Sequence, residues 1–107
     1  MKPLASFLVI SSLAGSISFA HADAGQDLLA KSNCLACHAV SQKIIGPSYK
    51  EVAAKYANDP KAEAKLAKKI KNGGGGVWGE DKMPAQPKLS KADALTLSKY
   101  ILSLKAG

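Results

Sequence analysis

The chain has 107 residues, with fifteen lysines, no arginine and eight acids, a formal charge of +7 with histidine neutral. That length holds one domain. A basic chain with no arginine and a single tryptophan fits nucleic-acid binding poorly, since such surfaces lean on arginine and interleaved aromatics.

The first residues read as an export signal, not as part of the domain. Lys2 gives a positive start, residues 4–20 form an apolar run interrupted by five serines and Gly15, and Ala20-His21-Ala22 has the small-x-small form of a cleavage site. A retained anchor would need about 20 strongly apolar residues. Cleavage after Ala22 divides the chain into a signal peptide, residues 1–22, and a mature domain, residues 23–107, with no stable membrane anchor and a destination in the periplasm. The mature part keeps fourteen lysines against eight acids, one histidine, His38, and one methionine, Met83. Its aromatics are Tyr49, Tyr56, Trp78 and Tyr100. Something else should supply apolar bulk to so small a domain.

Helical signals dominate the mature part. Asp23 caps a first helix reaching residue 31 or 32, with Leu28 and Leu29 on its apolar side. Ser48-Tyr49-Lys50-Glu51 has the spacing of a capping box and opens a second, continued by Val52, Ala53 and Tyr56. Asp59-Pro60 reads as a cap and first-turn proline for a third. There Ala62, Leu66 and Ile70 recur every four residues, and Asn72-Gly73 marks the end. Ser90 to Asp93 opens a fourth helix with Ala94, Leu97, Ile101 and Leu104 on one stripe. No stretch alternates with period two, so the fold class is all-α. Residues 41–47 and 73–88 are loops. The second is glycine-rich, broken by Pro84 and Pro87, and too long for a small domain to carry without a purpose.

Chemistry concentrates in Cys34-Leu35-Ala36-Cys37-His38. A disulfide there would close a very small loop and remove little unfolded-state entropy. A thioredoxin-like pair expects strands. Structural zinc expects four ligands, and with no further Cys or His in the mature part a carboxylate would have to complete the set, an uncommon arrangement. Cys-x-x-Cys-His is the attachment pattern of haem c: two thiols on one helical turn form thioethers with the porphyrin vinyl groups, and His38 ligates the iron. Its ligand atom is Nε2, with Nδ1–H held by an acceptor. For the other axial position the one thioether is Met83, restricted to extended geometry by Pro84. Histidine–methionine ligation favours reduced iron and raises the potential, which points to electron transfer. An open position would give an enzyme or gas sensor, and a chain without haem a thiol–disulfide module.

With "CLACH", "GPSYKEVAAKY", "KIKNGGGGVWG" and "KMPAQP" in that order, the mature chain resembles a class I c-type cytochrome, the small bacterial monohaem "five-fifty-one" type. The resemblance implies a small cytochrome c fold, about four helices wrapped around one covalently bound haem, acting as a soluble periplasmic electron carrier and not as an enzyme. It implies further that Pro47 offers its carbonyl to His38, that Trp78 donates its indole N–H to a haem propionate, and that Gln86 places an amide near the Met83 sulfur. Lys69 stands where the family often has an arginine paired with a propionate, and a lysine does not reproduce that bidentate contact. "GEDKM" replaces a stretch often rich in proline, and Gln86 replaces the commoner asparagine.

The redox partners implied are proteins such as nitrite reductase, a terminal oxidase, a cytochrome bc complex or a photosynthetic reaction centre. Lysines near the haem edge, Lys43 and Lys82 foremost, would steer the carrier to acidic patches on them.

Overall fold

The computed structural model describes residues 20–104, together with Pro3, Ile10 and Ser11. The expected signal peptide therefore lies almost wholly outside the described residues. Among the described residues four helices follow in order: α1 Ala20–Lys31, α2 Tyr49–Lys55, α3 Ala62–Asn72 and α4 Lys91–Ser103, with a short 3₁₀ turn, Cys34–Ala36, between α1 and α2. Among the described residues there is no strand, only two isolated antiparallel pairs, His38 with Lys43 and Gly74 with Met83. No helix among them is long and apolar enough to cross a membrane.

The helix starts show how far local sequence decides. Ser48 accepts from the Glu51 N–H at 3.1 Å, and Glu51 accepts from the Ser48 N–H at 3.2 Å, a complete capping box for α2. Ser90 accepts from the Asp93 N–H at 3.0 Å and opens α4 in the same way. Two starts differ from expectation. α1 begins at Ala20, upstream of Asp23, because the alanines before Asp23 are strong helix formers in the uncut chain. α3 begins at Ala62, so Pro60 sits in a turn before the helix, where the Ala62 N–H donates to the Asp59 carbonyl at 3.1 Å. Asp59 still serves that end from outside, accepting from the Lys61 N–H at 2.8 Å and from Lys65 Nζ at 2.6 Å. Tyr56, expected inside α2, is its C-cap, and Leu104 lies just beyond α4.

α4 is the central element and packs against α1, α2 and α3. Its stripe of Ala94, Leu97 and Ile101 is buried against Leu29, Tyr49, Val52, Leu66 and Ile70. Ser98, fully buried beside Leu97, donates to the Glu63 carbonyl at 2.7 Å and ties α4 to the first turn of α3. On the other flank α1 comes so close that a Cβ on Gly25 would lie 2.5 Å from Tyr100 Cβ. A glycine inside a helix costs about 0.5–1 kcal/mol relative to alanine. Here it is what allows the crossing.

Candidate functional site

The cysteine segment is shaped by its own backbone. Asn33, in the left-handed region at φ 59, turns the chain out of α1. The N–H groups of Cys37 and His38 then both donate to the Cys34 carbonyl, at 3.2 and 3.1 Å. The two thiols are thereby presented from one tight turn, both free and half-buried. Burial pushes the Cys34 thiol up from its ordinary value. That direction leads away from the thiolate that thiol–disulfide exchange uses. Among the described residues, no three of His, Cys, Asp and Glu gather to hold a bare metal ion.

His38 is held on three sides. Its Nδ1 lies 2.7 Å from the Pro47 carbonyl oxygen. A carbonyl only accepts, so Nδ1 is the donor here, and in the neutral imidazole that tautomer puts the lone pair on Nε2. The Tyr49 ring stacks on the imidazole, with centroids 5.2 Å apart and planes at 26°. On Gly46, a Cβ would overlap Cε1 of the ring and lie 2.7 Å from Nδ1. The loop 41–47 is therefore a socket, closed by the Gly46 N–H donating to the Cys37 carbonyl at 2.8 Å. Neither Gly46 nor the stacking role of Tyr49 was expected from sequence. Their adjacency to Pro47 was the available signal.

The opposite wall comes from α3 and the long loop after it. Gly74 and Met83 exchange backbone hydrogen bonds, both 2.9 Å, and the Gln86 N–H is shared by the carbonyls of Ile70 and Lys71 at 3.2 and 3.0 Å. The last carbonyls of α3 are thus satisfied by the returning loop, and Met83 is set half-buried at its rim. Trp78 is 42 % exposed, with Lys55 Nζ from the end of α2 5.3 Å from the centre of its ring, a cation–π contact that the sequence did not reveal.

One largely apolar cleft unites these pieces. Cys34, Cys37, His38, Pro47, Lys69, Trp78 and Met83 all line it, with Val52, Leu66, Leu97 and Ile101 behind them. Of the eight predicted site residues only Gln86 does not line it, and what ties Gln86 to the site is its backbone. The Tyr49 hydroxyl is buried here with no hydrogen-bond partner, and burial pushes its phenol up. Two free thiols on one turn, an imidazole, a thioether and apolar walls are a donor set that fits a covalently held porphyrin.

Comparison with known proteins agrees. A family model described as cytochrome c matches residues 22–105. The chain is 51% identical over 85 residues to cytochrome c-552 of Nitrosomonas europaea, covering 79% of this chain and 82% of that one. It is 43% identical over 105 residues to cytochrome c-551 of Pseudomonas aeruginosa, covering 98% and 100%. The crystal structure of wild-type Nitrosomonas europaea cytochrome c552 superposes with a TM-score of 0.72 at 50% identity, over 75% of this chain and 99% of that one. The class 1 cytochrome MtoD of Sideroxydans lithotrophicus ES-1 does so with 0.68 at 35% identity, over 78% and 96%.

Proposed function

Because the chain belongs to the cytochrome c family, we propose that it is a periplasmic one-electron shuttle whose haem iron is held by His38 and Met83. The family carries one covalently bound haem c and moves electrons without catalysing a reaction of its own. The haem supplies a one-electron iron couple; everything else falls to the protein. Cys34 and Cys37 hold the haem through thioethers. Pro47 fixes the His38 tautomer and raises the basicity of Nε2, while Tyr49 and Gly46 keep the ring from rotating. The apolar walls exclude water and, with a thioether ligand, favour reduced iron. Lys69 and Trp78, which both line the cleft, would meet the propionates, Lys69 as a point charge.

The observation that carries this reading is the His38–Pro47 contact at 2.7 Å, which leaves Nε2 free in the same cleft that Met83 lines. A family match beginning at residue 22 supports a mature protein of residues 23–107. Partners are then acidic redox proteins of the respiratory or photosynthetic type, met through the lysine-bearing rim.

The test is spectroscopic. Intact mass should equal residues 23–107 plus one haem that survives acid–acetone extraction, and the oxidised protein should show a sulfur-to-iron charge-transfer band at the red end of its spectrum. Met83→Ala should keep the haem, lose that band, lower the potential and admit imidazole. An unchanged spectrum in Met83→Ala would make the ligand assignment wrong.

A further inference from the structure

We propose that Gly73 is the positioning residue for Met83: having no side chain, it lets the Met83 carbonyl close onto the end of α3, and this contact sets where the thioether stands. The inference rests on reading Met83 as the iron ligand. Gly73 ends α3, its N–H donating to the Lys69 carbonyl at 2.7 Å. Its backbone, at φ 65 and ψ −156, occupies a region open essentially to glycine alone. A Cβ there would overlap the Met83 carbonyl oxygen and come within 2.7 Å of Ala85 N and 2.9 Å of Pro84 C. All three are backbone atoms, with no flexible end to swing aside.

The neighbouring bonds turn this contact into a frame. Gly74 exchanges two hydrogen bonds with Met83, and the Gln86 N–H is anchored on the Ile70 and Lys71 carbonyls. Residues 73–74 and 83–86 are therefore fixed together, while residues 75–82 leave that frame and return to it. Inside the excursion Gly76 and Gly79 also have positive φ, 92 and 124, but a Cβ on either would meet nothing within 4 Å. Placement of the ligand is consequently separate from the path of the excursion.

The two glycines provide the experiment. Alanine at either position meets positive-φ strain, but only at Gly73 does it strike Met83. In haem-loaded protein of verified mass, Gly73→Ala should weaken or abolish the sulfur-to-iron band and tighten imidazole binding by about tenfold, as expected for overpacking of this kind. Gly76→Ala, and insertion of one glycine between Gly75 and Gly76, should leave the band intact and imidazole affinity within about twofold, since neither adds a contact to the frame. A wild-type protein without the band would refute the Met83 ligation itself. A wild-type band that persists unchanged in Gly73→Ala would overturn the proposal alone, as would an insertion that displaces the ligand. If Gly73→Ala does not accumulate with haem, the insertion variant still decides.

Discussion

His38 Nδ1 stands 2.7 Å from the Pro47 carbonyl oxygen, and the residue that makes the approach possible is Gly46, whose missing side chain leaves room for the ring. Gly46→Ala should push the imidazole away from that carbonyl. Overpacking a fitted site costs about 1–3 kcal/mol, so denaturant titration of the haem-loaded variant should show a loss in that range. A weakened Nδ1–H bond makes Nε2 less basic, so the potential should rise. An unchanged midpoint and potential would mean that the socket yields freely.

A second expectation concerns Ser98, fully buried and donating to the Glu63 carbonyl at 2.7 Å. Ser98→Ala removes a single buried bond between α4 and α3 and should cost about 0.5–1.5 kcal/mol. The absorption spectrum should stay as it was, because Ser98 does not line the cleft. A spectral change would show that the α3–α4 contact reaches the iron.

At the start of α3, the Lys65 hydrogen bond, followed by that from the Lys61 N–H, holds the Asp59 carboxyl below its ordinary value of 3.8. A lowered carboxyl stabilises the fold above its unfolded value, and that contribution is lost as the pH falls through the folded one. Asp59→Asn should therefore be slightly less stable than the parent at neutral pH, with the gap closing once the pH drops below 3.8. The pair is at the surface, so salt should shrink the gap as well. Urea midpoints across this range check it; a gap independent of pH would remove the charge from the account.

Docking offers the fourth test. Lys82 lines the cleft next to Met83, and Lys43 is exposed in the pair opposite His38. Electron transfer to an acidic partner should slow steeply with salt, since exposed charges are screened beyond about 10 Å at 0.1 M. Lys82→Glu should reduce the association rate and leave the potential nearly unchanged. Lys91→Glu, at the start of α4, should do little to either. Equal effects would mean that net charge alone matters. A rate indifferent to salt would shift the role to the exposed apolar residues Ile44, Ile45 and Val77.

Much of the molecule is legible in short-range signals. Ser48 with Glu51, Ser90 with Asp93, and the four-residue spacing of Ala62, Leu66 and Ile70 each act within one helical turn, so their outcome depends little on the rest of the chain. The cysteine turn and the convergence of His38 and Met83 on one cleft follow in the same way from spacing and family resemblance. What escaped was close backbone approach. Gly25 against Tyr100 joins the two ends of the domain, while Gly46 against His38 and Gly73 against Met83 close single loops, and a glycine in a sequence does not say what will press against it. The helix start expected at Asp59-Pro60 lies two residues later for a related reason: the same motif caps a helix or builds a turn before one. Here Asp59 builds the turn, its carboxylate accepting from the Lys61 N–H and from Lys65 Nζ.

The contact between Gly25 and Tyr100 means that α1 and α4 lie side by side, so the described domain, residues 20–104, opens and closes on neighbouring elements. Neighbouring ends and an open loop tip are the usual conditions for circular permutation. Joining the end helices through a short linker and opening the chain at Gly76, where an added Cβ would meet nothing within 4 Å, would preserve every contact of the core. It would also reverse the order of synthesis: Met83 would leave the ribosome before Cys34 and Cys37, separating the sequence of emergence from the architecture that the finished protein needs.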